Sequence, residues 1–331
     1  MSNSSEDTVP IFFCPPLWEQ RQTKVKEIIK EHMIKELCDL GCGSGGLISG
    51  LLYYKGMRML IGIDLDNEVI SEAIDNCTPG IPAYIIHRKC PLEVLLLQGS
   101  ILIPCPLIPY QISCVTLCEV IEHIHLSEVS LLTYNIFSYI NPKFVIVTTP
   151  NRDFNIYFPD PKQFRHDDHK FEWTREEFTS WCKSTADMFG YSFQLTGVGM
   201  PEGFTENGFC TQIAVFTRLV MKKDREDVEN TFKTIRKSVV PKNYPQNFEQ
   251  KFFNDFLYSF NVARKWAELD YDEGILISDI FRVPSISGLC DGSQLRLQIL
   301  MEEILPKFNL NYRLEDGKVF IDSDEPTEEE D

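Results

Sequence analysis

Glu36-Leu37-Cys38-Asp39-Leu40-Gly41-Cys42-Gly43-Ser44-Gly45-Gly46 carries a short apolar run into a glycine-rich turn. Glycine has no side chain and accepts left-handed backbone, so such a turn marks a place where the main chain bends sharply and comes close to a ligand. Its position after a first strand gives the turn weight. So does Asp64, which ends the next apolar run 25 residues past Asp39, where a carboxylate can accept hydrogen bonds from both hydroxyls of a ribose. Outward from this pair, residues 36–219 alternate short apolar or β-branched runs with helix-like segments. That is the pattern of an α/β fold, a mostly parallel, doubly wound sheet covered on both faces.

Seven strands are predicted, at about 36–40, 59–65, 94–97, 112–118, 143–149, 191–197 and 211–219. The clearest helix runs from Thr174 to Phe189, with Thr174 and Glu177 spaced as a capping box and Gly190 as the terminating residue. Gly197, Gly199, Pro201, Gly203 and Gly208 leave no room for a helix between the last two strands, which are expected to form an antiparallel hairpin. The domain reading is a segment 1–35 that contributes to the sheet domain, the domain itself at 36–219, a mostly helical extension at 220–321 and an acidic, solvated tail at 322–331. The extension opens with a basic cluster (Lys222, Lys223, Arg225, Lys233, Arg236, Lys237) and continues with aromatics from Phe248 to Trp266 at helical spacing, more a core face than a base-stacking surface.

The 331 residues are 43% hydrophobic and 24% charged, which excludes disorder, collagen and coiled coil as the main state. No stretch approaches the roughly 20 apolar residues of a membrane helix, and MSNSSEDTVP lacks the regions of a signal peptide, so a soluble, cytoplasmic monomer with no membrane contact is expected. Eleven cysteines at irregular spacings, without a CxxC, argue against a disulfide framework or a cysteine zinc site. The net charge of -17 ordinarily argues against a nucleic-acid partner, but seven of the acids lie in the last ten residues. The remaining acidity fits a protein that touches only a short end of a polyanion.

Two cofactor classes use a glycine turn and a ribose-binding acid. Dinucleotide folds bring a helix N-terminus to a pyrophosphate, whereas here Asp39 precedes the first glycine, where it would repel phosphate but suits the cationic methionine part of S-adenosylmethionine. The turn, the acid closing the second strand and the strand order resemble the class I S-adenosylmethionine-dependent methyltransferases over about residues 36–219. That resemblance implies that Gly41, Gly43 and Gly46 line the cofactor, that Asp64 holds its ribose and that Ser100, in Gln98-Gly99-Ser100, lies near the adenine. Many members carry an acid after the third strand; this chain offers the Ser100 hydroxyl.

Cys118-Glu119-Val120-Ile121-Glu122-His123-Ile124-His125 follows the fourth strand, at the topological switch point beside the first strand, facing the cofactor's methyl group. If the chain turns helical at Glu119, then Glu119, Glu122 and His123 stand at i, i+3 and i+4 on one side. A second cluster, Arg165-His166-Asp167-Asp168-His169-Lys170-Phe171-Glu172-Trp173, follows the fifth strand, and four of the six histidines lie between His123 and His169. Two carboxylates with two imidazoles make a mixed O and N site for a divalent metal; affinity favours Mn²⁺, Fe²⁺ or Co²⁺, and availability favours Mg²⁺. The alternative is an ordinary hydrogen-bonded helix end.

ExxEH at 119–123, TTPNxxFN at 148–155, DHKFEWTRxEF at 168–178, GxCTQIAVF at 208–216 and FxPPLxxQR at 13–21 together resemble the small-RNA 2′-O-methyltransferases of the Hua-enhancer type. The resemblance implies Glu119, Glu122, His123 and His169 as metal ligands and catalytic residues. It implies as substrate the 3′-terminal ribose of a small guide RNA (microRNA, siRNA or Piwi-associated RNA), whose methylation protects the 3′ end, and it implies the compact animal form, which acts on single-stranded guides held by a Piwi or Argonaute protein. A divalent ion chelated by vicinal 2′ and 3′ hydroxyls would lower the 2′ oxygen's pKa and reject an end lacking the pair. His166 is an alternative proton acceptor and His125 is expected to be structural. Phe154, Phe171 and Trp173 are candidates for stacking on the last base, with core packing the alternative. Arg21, Arg152, Arg165 and Lys170 are candidates for RNA backbone contact. Three rivals remain open: an O-methyltransferase of a catechol-like small molecule, a methyltransferase of protein or DNA, and a non-catalytic RNA-end binding adaptor.

Overall fold

The computed structural model describes residues 12–321 other than 87, 159–163, 202, 204, 222–223, 243–247 and 271–272. The chain divides into two compact units: Met1–Ala83 with Cys90–Lys242, and Tyr84–Lys89 with Asn243–Asp331. Among the described residues no helix is long and apolar enough to cross a membrane. The acidic tail, the first ten residues, Lys222 and Lys223 lie outside the described residues.

The first unit is built on β1 (Glu36–Leu40), β2 (Met59–Asp64), β3 (Leu92–Gln98), β4 (Cys114–Cys118), β5 (Phe144–Pro150), β6 (Tyr191–Val198), β7 (Thr211–Arg218) and β8 (Lys233–Val240). Its order is β6-β7-β5-β4-β1-β2-β3-β8. Strands β1 to β5 pair in parallel, and β6 and β7 form the expected antiparallel hairpin. Alternate residues feed opposite faces, as the pleat requires. Leu37, Leu60 and Ile146 join one core with the helices α1 (Leu17–Glu31), α2 (Gly46–Leu51) and α3 (Asn67–Cys77). Cys38, Ile61 and Val147 join the other, with α5 (Val129–Tyr134), its π-helical continuation Asn135–Ile140, and α6 (Arg175–Phe189). The short α4 (Ile81–Ile85) precedes β3. Every residue of β5 is buried, which is why that run reads as continuous rather than alternating apolar sequence.

Helix α6 begins and ends where its sequence says. Thr174 caps the Glu177 amide while the Glu177 carboxylate returns to the Thr174 amide, and Gly190 closes the helix at φ 74°.

The sheet has eight strands, not seven, and this corrects the boundary expected at Leu219. Residues 233–240 pair antiparallel with β3, from Gln98 opposite Lys233 to Leu92 opposite Val240, and the first unit runs on to Lys242. The strand was hidden because basic residues, Lys233, Arg236 and Lys237, take most of its exposed positions, with Ile235 only half-buried. Charged residues on an edge strand discourage pairing with other chains and obscure the period of two.

The second unit is not wholly helical. It holds α7 (Phe248–Trp266), α8 (Ile277–Phe281), α9 (Pro284–Leu289) and α10 (Gln294–Ile304), with a small sheet of β9 (Ile275–Leu276), β10 (Tyr312–Glu315) and β11 (Lys318–Ile321). Phe252, Phe256 and Phe260 of α7 form one side of its core, as their spacing suggested.

Candidate active site

The glycine turn sits at the carboxyl end of β1 as a string of left-handed residues, with Gly41, Gly43 and Gly45 at φ 74°, 54° and 81°. The amides of Gly41 and Cys42 donate to the Ile63 carbonyl, and the Gly43 amide donates to Asp64 Oδ2 at 2.8 Å. The Asp64 carboxylate is thus drawn to the turn and aimed by it. Gly99 donates its amide to the Asp64 carbonyl at 2.9 Å, which brings Ser100 beside the same edge. Gly46 opens α2, where added side-chain bulk would meet Gln22 of α1 at 2.8 Å. Asp39 lies beneath the turn, 3% exposed, and accepts a 2.6 Å hydrogen bond from the Thr116 hydroxyl. Burial pushes its carboxyl up to about 7, with Thr116 opposing and Asp64 adding to the rise.

The turn touches the loop after β4. A Cβ on Gly41 would come within 2.6 Å of the Val120 side chain, between Glu119 and Ile121. Half-buried Cys118 ends β4 opposite Thr148 of β5. The expected helix does not start at Glu119, which is left-handed at φ 56° and is followed by a 3₁₀ turn over Ile121–His123. This bend separates the two glutamates. Glu119 accepts from the Thr148 hydroxyl at 2.9 Å and pairs with Arg21 of α1 at 3.5 Å. Glu122 is fully buried, accepts from the Thr149 hydroxyl at 3.1 Å through Oε2, and leaves Oε1 buried without a hydrogen-bond partner.

Glu122, His123 and His169 offer ligand atoms that all lie within 4.8 Å of one another. Glu119 and His125 stand outside this group. Burial, then the charge of Glu119, pushes the Glu122 carboxyl well up, and burial holds His123 down against the opposing pull of Asp168. Nδ1 of His123 lies 2.8 Å from Asp168, which also holds His166 Nδ1 at 2.6 Å. His169 Nδ1 lies 2.6 Å from Glu172. A carboxylate only accepts, so each imidazole carries a hydrogen on Nδ1, and in its neutral form leaves the lone pair on Nε2. A buried carboxylate oxygen without a donor, beside two imidazoles of that tautomer, is a donor set that fits a divalent cation.

Several sequence candidates for RNA contact belong to the framework. Phe154 is fully buried beside Phe13, Tyr157 and Phe158, and Phe171 and Trp173 are each 8% exposed in the core, so none presents a ring face for stacking. Arg165 is a buckle: its guanidinium donates to the carbonyls of Asn151 and Cys210 and to the Asn155 side chain. Arg21 is occupied by Glu119, while Arg152 and Lys170 are exposed. The sequence reading passed over Asp168 and Glu172 as orienting groups. Their signal was the spacing of His169 and Glu172, three residues apart within the stretch already singled out.

The sheet order, the glycine turn after β1 and the acid closing β2 define the class I S-adenosylmethionine-dependent methyltransferase fold. No known family profile matches the sequence. The chain is 38% identical over 245 residues to the small RNA 2′-O-methyltransferase of Xenopus tropicalis, covering 73% of this chain and 66% of that protein. It is 33% identical to the mouse protein of that name over 73% of this chain and 61% of that one. With the Tetrahymena thermophila protein it shares 32% identity over 82% of this chain and 69% of that one. The chain thus spans about two thirds or less of the length of the vertebrate relatives. Among solved structures it resembles small RNA methyltransferase HEN1 (TM-score 0.60, 32% identity, 72% of this chain, 29% of that one). It also resembles the methyltransferase domain of a bacterial Hen1 (TM-score 0.52, 32% identity, 61% of this chain, 98% of that one). The chain belongs to the small RNA 2′-O-methyltransferase family.

Proposed function

We propose that this protein transfers a methyl group from S-adenosylmethionine to the 2′-hydroxyl of the 3′-terminal nucleotide of a single-stranded small guide RNA, protecting that end. The observation that carries the reading is the unpartnered, buried Oε1 of Glu122 beside His123 and His169, on a loop whose Val120 meets the glycine turn at Gly41. Family membership supports the RNA substrate.

Gly41, Gly43 and Gly46 are the proposed cradle for the cofactor, Asp64 the acceptor for its ribose hydroxyls, and Asp39, Ser100 and Cys118 further contacts around it. Glu122, His123 and His169 would hold one divalent ion, Mg²⁺ or Mn²⁺ with Co²⁺ a further choice, and Glu119 on the same loop is the fourth proposed ligand. Such an ion supplies Lewis acidity, which lowers the pKa of a ribose hydroxyl that is otherwise a poor nucleophile. The chain's own contribution is placement. The contact of Val120 with Gly41 sets the acceptor site directly against the donor site, and holding two reactants in attack geometry is worth about 7 to 11 kcal/mol of barrier. Thr148 and Thr149 fix the two glutamates, and Asp168 and Glu172 keep Nδ1 of both histidines protonated. Arg152 and Lys170, exposed near this edge, are the basic side chains proposed for the RNA backbone. A Piwi or Argonaute protein holding the RNA is the proposed partner, in the cytoplasm, with this chain acting as a monomer.

The test is transfer of labelled methyl to single-stranded RNA of guide length, with and without EDTA, beside a matched RNA ending in a 2′-deoxy nucleotide. Metal-dependent labelling of the ribose-ended RNA alone is expected. Equal labelling of both RNAs, or labelling indifferent to EDTA, contradicts the proposal.

A further inference from the structure

We infer that Glu172 is a positioning residue that sets the tautomer and orientation of His169 for the divalent ion; the inference rests on the metal reading of the Glu122, His123 and His169 group. The two imidazoles of that group are held in different ways. His123 leans on Asp168, and those side chains are 38% and 56% exposed, with Asp168 shared with the exposed His166. His169 and Glu172 are 8% and 0% exposed. Water can rearrange the first pair and cannot easily reach the second.

Glu172 is itself immobilised. Its Oε1 accepts the Arg165 amide at 2.6 Å as well as His169 Nδ1, and its Oε2 accepts the Asn155 side-chain amide at 2.6 Å. Asn155 in turn receives Arg165 Nε at 2.7 Å, and the Arg165 guanidinium is pinned to the carbonyls of Asn151 and Cys210 at 2.6 and 2.8 Å. Asn151 is fully buried at the end of β5 and Cys210 stands just before β7. The position of the His169 ring is therefore referred back to the ends of two strands of the sheet through three hydrogen-bonded side chains, Glu172, Asn155 and Arg165. Among the described residues the Glu172 carboxylate is the acceptor that His169 Nδ1–H meets, and the other two groups bonded to that carboxylate, the Arg165 amide and the Asn155 side-chain NH2, are donors. Removing that acceptor frees the hydrogen to move to Nε2, where it would block the ligand position. Outer-sphere partners of this kind are worth about 10- to 100-fold in metal affinity.

The experiment compares the full chain with its Glu172→Gln variant, which keeps the side-chain volume but puts an amide where three donors converge. Mn²⁺ is titrated calorimetrically without RNA, and the His169 tautomer is read from long-range ¹H–¹⁵N correlations. Expected in the variant are Mn²⁺ binding weakened roughly 10- to 100-fold and loss of the pure Nδ1–H pattern at His169, with S-adenosylmethionine affinity unchanged. If Glu172→Gln does not fold, Glu172→Asp, which keeps the charge but withdraws it by one methylene, is expected to weaken Mn²⁺ in the same direction. A merely structural role would lower the melting temperature and leave the tautomer of the folded chain alone. Mn²⁺ bound equally by wild type and variant, with His169 unchanged, overturns this inference only. A wild-type chain that binds no Mn²⁺ overturns the metal reading beneath it as well.

Discussion

Glu122 concentrates the chemistry in one side chain: it is fully buried, next to another carboxylate, and has one oxygen without a donor. A buried, unsatisfied charge is among the costliest features a fold can keep, and it persists where a cation or proton is meant to meet it. Glu122→Ala or His169→Ala is expected to abolish methyl transfer while S-adenosylmethionine affinity stays within about twofold, because neither side chain is among the proposed cofactor contacts. Calorimetry with the cofactor and a labelled-methyl assay check this; full activity in either variant would remove the metal proposal. Asp39 gives a second residue-scale prediction. Its carboxyl rises from 3.8 to about 7, chiefly through burial. The folded chain then binds this proton more tightly than the unfolded chain does. The associated stability is complete below about pH 4 and is lost as pH rises to about 7, on the order of 4 kcal/mol at most. Denaturant unfolding between pH 4 and pH 8 should show that slope in wild type and a flatter one in Asp39→Asn; parallel curves would contradict it.

The elements that matter most at the site are two turns in contact. Gly41 needs its left-handed φ and also the space that Val120 fills, so Gly41→Ala meets both a conformational penalty of about 1 to 2 kcal/mol and an overpacking penalty of about 1 to 3 kcal/mol. A drop of that size in unfolding free energy, accompanied by weaker cofactor and Mn²⁺ binding together, is expected. Loss of cofactor binding with Mn²⁺ affinity intact would mean that the turns are not coupled. Elements of this kind were legible where local chemistry decides. Strands β1 to β7 start and stop within a few residues of their apolar runs, and α6 follows its capping box and Gly190. The Glu119 bend was not legible: Glu119, Glu122 and His123 have helical spacing, and the partners that meet Glu119 in its left-handed backbone, Thr148 and Arg21, come from distant segments. Strand β8 was missed because edge charges masked its period. The aromatics stayed undecided between stacking and core packing, and the buckle role of Arg165 was missed, for a related reason: sequence gives residue type, but whether a ring or guanidinium faces solvent depends on what other segments cover.

Across the whole molecule the sheet domain ends at Lys242, with β8 covering the edge of β3 and Phe232 packing over Gly99 next to Ser100. A chain cut after Lys242 is therefore expected to fold and bind S-adenosylmethionine. One cut after Leu219 loses β8 and exposes a long apolar edge, and it should aggregate in size-exclusion chromatography. Equal behaviour of the two would place the boundary back at Leu219. What the sheet finally does is bring three segments distant in sequence, 39–46, 118–123 and 164–173, to one edge, so that the proposed cofactor cradle and the proposed cation site share a wall. The direct measurement of that arrangement is the anomalous scattering of Mn²⁺ in crystals grown with S-adenosylhomocysteine. One peak in direct coordination with Glu122, with Nε2 of both His123 and His169 and with Glu119 as the fourth proposed ligand, beside the nucleoside bound at Gly41 and Asp64, is the predicted result. A peak elsewhere, or none with the nucleoside in place, would contradict the account.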